Sequence, residues 1–352
     1  MDVVEKTVRS SSGDSPIVVC TQGLSKAFRE RLAVDTVNLE IRQGEIFGLL
    51  GPNGSGKTTF LRMILGVLAP TQGQVELFGL NIAHASLRQS ALRRVGALIE
   101  YPTFYPYLTG RENLFILASM SGHTWSSTLR RRVDEVLTLV DLTQRKNLPF
   151  RRYSLGMKQR LGIAAALLTR PELVILDEPT NGLDPVGIAH LRALLLELAQ
   201  KGTTVLLSSH LLHEVQQLCT RVALLRTGRV VMQGVLTELL QHQETIQIVF
   251  DELDTLQKAV QVLQQCRSSQ AMEWLHSISY DHASNDHATA IPDSHYTLVV
   301  DAPGKHSPDL WALLAQQQLY PSEVKREQKN LEQLFLQVSS DTSSNRTDFR
   351  LT

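Results

Sequence analysis

The chain has 352 residues, 43% hydrophobic and 20% charged, which suits a globular protein of more than one domain with a sizeable buried core. Lys plus Arg equals Asp plus Glu at 35 each, so no net charge draws the whole chain to nucleic acid or to an anionic membrane. Three scattered cysteines, Cys20, Cys219 and Cys266, exclude a zinc-type CxxC pair and a secreted disulfide framework, and no run of about 18 apolar residues offers a membrane-spanning helix.

Residues 1–15 are polar and include Ser10, Ser11, Ser12, Gly13 and Asp14, so a flexible tail without a signal peptide is expected there. From 16 to 238, short β-branched runs alternate with helical patterns. Strands are expected over 17–20, 33–41, 46–50, 95–99, 173–176, 204–208 and 222–225. Helices are expected over 58–68, 128–140, 157–169, 187–199 and 211–218. That alternation predicts an α/β core with a mainly parallel sheet covered by helices.

Residues 239–338 read as a second, small C-terminal α/β domain. Strands are expected over 245–250 and 297–300, and helices over 309–318 and 330–338. In the last, Leu331, Leu334, Phe335 and Val338 recur at i, i+3, i+4 and i+7 and form one apolar face. The intervening 281–295 reads as a polar loop, and 339–352 as a second flexible tail. His276, His282, His287 and His295 lie near Asp281, Asp286 and Asp293, but their spacing suits no regular ligand pattern. A metal site and a solvated loop both remain open.

Gly51-Pro52-Asn53-Gly54-Ser55-Gly56-Lys57-Thr58 fits the pattern G-x-x-x-x-G-K-[ST]. The apolar strand Ile46-Phe47-Gly48-Leu49-Leu50 precedes it and a helix follows, which is the setting of a phosphate-binding loop. Glycines let the backbone curl so that N–H groups face phosphate oxygens, and the helix N-terminus favours an anion. Lys57 is expected to reach the β and γ phosphates, and Thr58 to place its hydroxyl on Mg²⁺. Thr59, next along the helix, completes the expected nucleotide-binding set.

Leu173-Val174-Ile175-Leu176-Asp177-Glu178 is an apolar strand that ends in two acids. Ligands bind at the C-terminal ends of parallel strands. Asp177 is therefore placed to hold Mg²⁺, and Glu178 to take a proton from an attacking water. ATP and Mg²⁺ are the cofactors these motifs call for.

Further motifs narrow the class. Tyr153-Ser154-Leu155-Gly156-Met157-Lys158-Gln159-Arg160 resembles the signature motif of ABC-type ATPases. Asn181-Gly182-Leu183-Asp184-Pro185 resembles their D-loop, Ser208-Ser209-His210 their switch histidine, and Phe28 the aromatic that stacks on adenine. The resemblance covers about 17–235 densely and reaches weakly to about 338. Read singly, Ser154 is a helix cap, Phe28 a core residue and His210 an ordinary histidine. The ordered set favours the family.

The resemblance implies a P-loop ATPase core with a helical subdomain over about 86–165. It also implies a head-to-tail dimer with a second copy of the chain, in which Ser154, Gly156 and Asp184 complete the nucleotide site of the opposite subunit. His210 would then contact the γ-phosphate. A separate integral membrane permease is the implied partner, with the chain cytoplasmic and peripheral on the inner face of the cell membrane. No nucleic-acid partner is expected.

Two departures from the family pattern point to one branch. Glu100 stands where the family carries a glutamine, which implies a role both in metal binding and in catalysis. The signature reads Tyr-Ser-Leu-Gly-Met. Both features are similar to exporters of bacitracin and lantibiotics, so export of a peptide antibiotic, lipid or drug-like compound is expected. The competing reading is a soluble ABC-type ATPase acting on RNA, ribosomes or DNA. The segment 101–117, crowded with Tyr101, Phe104, Tyr105 and Tyr107, is the expected permease contact.

Overall fold

The computed structural model describes residues 15–29, 31–100, 103–120, 126–241, 244–268, 274–275, 277–281, 296–302 and 304–328. The expected terminal tails (all but Ser15), the expected helix 330–338, Tyr101, Pro102, His276, His282, His287, His295, Asp286 and Asp293 lie outside them. The chain divides into two compact units, Met1–Gly234 and Val235–Thr352.

The first unit opens with β1 (Ile17–Phe28), β2 (Arg31–Arg42), β3 (Ile46–Leu50) and helix α1 (Lys57–Ile64). β4 (Gln72–Leu77), β5 (Leu80–Asn81), α2 (Ala85–Leu92) and β6 (Val95–Leu98) follow. Three helices come next, α3 (Gly110–Met120), α4 (Ser127–Leu139) and α5 (Leu155–Leu167). The unit closes with β7 (Leu173–Asp177), α6 (Pro185–Gln200), β8 (Thr204–Ser209), α7 (Leu212–Gln216), β9 (Arg221–Arg226) and β10 (Arg229–Val235).

Among the described residues these strands form two sheets. One has the order β2-β1-β4-β5 and its neighbours run antiparallel. The other has the order β10-β9-β3-β8-β7-β6, and β9, β3, β8, β7 and β6 run parallel. Every residue of β3, β7 and β8 is buried. Their unbroken apolar runs are what a sheet covered on both faces requires. Phe47, Phe60, Leu61, Met63 and Ile64 pack in one core between the sheets and α1.

β1 is longer than its expected 17–20, because register shifts between Thr21 and Ala27 let a strand without clean alternation keep pairing with β2. The helical subdomain is narrower than 86–165, because β6 pairs with β7 inside the parallel sheet. The bundle of α3, α4 and α5 therefore begins at Gly110.

The second unit holds α8 (Leu236–Gln241), β11 (Glu244–Phe250), α9 (Leu253–Ser268), β12 (Ser277–Asp281), β13 (Tyr296–Asp301), α10 (Ser307–Gln316) and β14 (Glu323–Gln328). The boundary expected at 238 falls inside α8. The strand order is β12-β13-β11-β14, and all described pairs are antiparallel. With its βαββαβ element order, this is the split βαβ arrangement of ferredoxin-like folds. Its core joins Ile246, Ile248, Phe250, Leu298 and Val300 of the sheet to Leu256, Leu263, Leu310 and Leu314 of the helices.

Candidate functional site

The parallel register aligns three strand ends. Leu50 of β3 stands opposite Ser209 of β8, and Asp177 of β7 opposite Ser208. The phosphate loop, the acidic pair and the Ser-Ser-His run therefore emerge at the same edge of the sheet.

The loop 51–56 needs its glycines. Gly51, Gly54 and Gly56 have φ of 154°, 79° and 108°. A Cβ on Gly51 would meet the Leu225 carbonyl at 2.2 Å, and one on Gly56 the Ala33 carbonyl at 2.4 Å. Only a bare backbone can curl there. Gly56 caps α1, so the helix N-terminus opens into the loop. Ser55 Oγ is buried without a hydrogen-bond partner, which fits a loop shaped to receive an acceptor oxygen.

Lys57 is 5% exposed and folds back over the loop. Its Nζ donates to the Gly51 carbonyl at 2.7 Å and the Pro52 carbonyl at 3.3 Å, and lies 3.2 Å from Glu178 Oε1. The other carboxylate oxygen of Glu178, Oε2, is 2.7 Å from His210 Nδ1. Thr58 Oγ1 donates to Asp177 Oδ2 at 2.6 Å. Asp177 is 6% exposed, and its second oxygen accepts from Ser208 Oγ. The structure thus brings Lys57, Thr58, Asp177, Glu178 and His210 into one connected cluster.

The remaining expected residues sit around it. Pro52, Asn53 and Gly54 form the exposed rim of the loop, and Thr59 lies half-buried in α1. Phe28 ends β1 with 48% of its surface exposed, on the hairpin whose Ala33 carbonyl abuts Gly56. Ser154 caps α5, accepting from the Met157 N–H at 3.2 Å. Gly156 packs against Gly182, where an added Cβ would meet the carbonyl at 2.9 Å. Asp184 caps α6, accepting from the Gly187 N–H at 3.0 Å. Tyr153, the first departure in the signature, is buried and donates its hydroxyl to the Arg145 carbonyl at 2.9 Å. Burial pushes that phenol above its ordinary pKa.

Glu100 is not brought to the cluster. It is 58% exposed and pairs with Arg62 of α1. Its φ of 63° is left-handed.

Three contributors were missed by the sequence reading. Ser208 donates to Asp177 and accepts from the Glu178 N–H at 2.9 Å. Gln159 reaches the backbone after Asp177, and Arg62 holds Glu100. Ser208 was visible only as the first letter of the motif that carries His210.

The aromatic segment splits. Phe104 is half-buried edge-on to Phe150, with ring centroids 5.1 Å apart. Tyr105 and Tyr107 are 58% and 77% exposed.

A glycine-lined phosphate loop, a Thr58 hydroxyl bonded to a buried Asp177 and a carboxylate facing a lysine define the class of nucleoside-triphosphate hydrolases built on a P-loop. Residues 34–181 match the family model described as ABC transporter. The bacitracin transport ATP-binding protein BcrA of Bacillus licheniformis is 46% identical over 214 residues, 60% of this chain and 68% of that protein. The uncharacterized ABC transporter ATP-binding protein YdbJ of Bacillus subtilis is 38% identical over 320 residues, 91% of this chain and 94% of that protein. A dimeric post-hydrolysis structure of the cassette MJ0796, bound to ADP and Pi, aligns with a TM-score of 0.58 at 28% identity, covering 62% of this chain and 98% of that one. The chain belongs to the ABC transporter family as an ATP-binding, ATP-hydrolysing subunit. Action on RNA, ribosomes or DNA finds no support among these relatives. No helix among the described residues is long and apolar enough to cross a membrane.

Proposed function

We propose that this chain powers export of a peptide antibiotic, lipid or drug-like compound through a separate membrane permease, working as a head-to-tail dimer. The single observation that carries the ATPase reading is the cluster in which Glu178 bridges Lys57 and His210 beside the Thr58–Asp177 pair. The bacitracin-transport relative supports the exporter reading.

On binding, the triphosphate takes the place of the Gly51 and Pro52 carbonyls as partner of Lys57. The N–H groups of the loop and the α1 N-terminus hold its charge. Thr58 Oγ1 and Asp177 are the residues that would hold Mg²⁺, which supplies charge neutralisation at the phosphates when bound. Glu178 orients a water and accepts its proton as the water oxygen bonds to the γ-phosphorus. The bond from that phosphorus to the β,γ-bridging oxygen breaks, leaving ADP and phosphate. His210 keeps the Glu178 carboxylate aimed. Phe28 stacks on the adenine, and Ser154, Gly156 and Asp184 close the partner's site. Glu100, paired with Arg62 in this structure, would add a further carboxylate to the residues that hold Mg²⁺.

Exposed Tyr105 and Tyr107 form the permease contact, which holds the chain on the inner face of the membrane. Co-expression with a candidate polytopic membrane permease tests the export reading. Bacitracin resistance or efflux of a labelled peptide that needs both chains and vanishes with Asp177→Asn is the expected outcome. Efflux that survives Asp177→Asn would refute it.

A further inference from the structure

Glu178 has a backbone φ of 48°, a left-handed value. For a non-glycine residue this is a strained conformation that persists only where neighbours hold the backbone in place. The Glu178 N–H donates to Ser208 Oγ at 2.9 Å. Its carbonyl accepts from the Asn181 N–H at 3.2 Å and from Gln159 Nε2 at 3.4 Å. Gln159 Nε2 also donates to the Pro179 carbonyl at 3.3 Å.

Ser208 and Asn181 belong to the strand ends and the turn that make the site itself. Gln159 comes from elsewhere. It lies on α5, which begins just after Ser154, and it is 3% exposed. One amide thus grips two successive carbonyls at the strained corner that aims the carboxylate towards Lys57 and His210.

We propose that Gln159 is a positioning residue that fixes the backbone of Glu178 and ties it to helix α5. Ser154 and Gln159 are five residues apart on one rigid helix, a rise of about 7.5 Å. When Ser154 meets the nucleotide of the opposite subunit, α5 carries the displacement to Gln159, and Gln159 carries it to the Glu178 carbonyl. The inference rests on the roles proposed above for Glu178 and Ser154.

The test uses the full chain with Gln159→Met, which keeps length but removes the donor. Gln159→Leu, a second apolar side chain that removes the donor without burying a charge, serves if the first does not fold. Each is made alone and together with Glu178→Gln. The single variants should lose kcat about tenfold with KM within about twofold, because a misaimed group slows chemistry without weakening binding. In the Glu178→Gln background the further loss should be less than about twofold, because the carboxylate being aimed is already gone. Losses that multiply in the double variants, a KM that rises with the fall in kcat, or unchanged kcat would overturn the inference. If Glu178→Gln alone leaves hydrolysis intact, the role of Glu178 fails first. If Glu178→Gln is inactive and Gln159 is silent, only this inference fails.

Discussion

The ammonium of Lys57 lies 3.2 Å from the Glu178 carboxylate, and the two side chains are only 5% and 17% exposed. The two groups proposed to handle the γ-phosphate and its attacking water neutralise each other at rest. Removing Lys57 leaves the Glu178 carboxylate with His210 as its remaining side-chain partner and the phosphate loop without its cation. Lys57→Ala should therefore weaken ATP binding about 100-fold, from the loss of one or two charge-assisted hydrogen bonds. Equilibrium binding of a fluorescent ATP analogue checks this. Binding within about threefold of wild type would remove Lys57 from the site.

Glu100 and Arg62 make a second, exposed pair. Its own contribution to stability is small, about 0–1 kcal/mol. Its consequence is positional: Arg62→Ala frees the carboxylate. Glu100→Gln should flatten the dependence of ATP affinity on Mg²⁺, because a carboxylate suits this hard cation and repels bare phosphates. Arg62→Ala should steepen it. A Mg²⁺ titration of the three proteins is the measurement, and superimposable curves would leave Glu100 no part in metal coupling.

The aromatic segment divides into packing and surface. Phe104→Ala should destabilise the first unit by about 1 kcal/mol or more through loss of the Phe150 contact, lowering the thermal midpoint by a few degrees. Tyr105→Ala and Tyr107→Ala should leave the midpoint and basal hydrolysis unchanged while export through the permease falls about tenfold. Equal loss of hydrolysis and export in the tyrosine variants would favour a packing role.

Cys219 is buried against β3, and burial pushes its thiol far above the ordinary range. The fold keeps the neutral thiol. The resulting stability is fully present below the unfolded thiol's pKa of about 8.5 and is lost as pH rises above it. Iodoacetamide at pH 8.5 should modify the partly exposed Cys20 and Cys266 and spare Cys219 until the protein unfolds. Mass spectrometry of tryptic peptides reads the outcome.

The parts of the structure that could be read from sequence are those where local pattern and chemistry coincide. Ile46–Leu50 and Leu173–Asp177 are buried on both faces, so their apolar runs state their place directly. The phosphate loop announces itself because its glycines answer to backbone geometry. α9 was missed because Leu253, Leu256, Val260 and Leu263 are diluted by glutamines and lysine. β4 was missed because Gln72, Gly73 and Gln74 are exposed, and register with β1 makes it a strand. The contacts of Arg62, and of Gln159 within the signature motif, could not be read for the same reason: each meets its partner only after distant elements come together.

Glu178→Gln tests the central claim most directly. The amide keeps the shape of the side chain and removes the proton acceptor, so ATP should bind and persist. Size-exclusion chromatography of this variant with Mg²⁺-ATP should show a stable dimer, and a monomer without nucleotide. A variant that binds ATP tightly yet elutes as a monomer would contradict a site completed by a second copy of the chain.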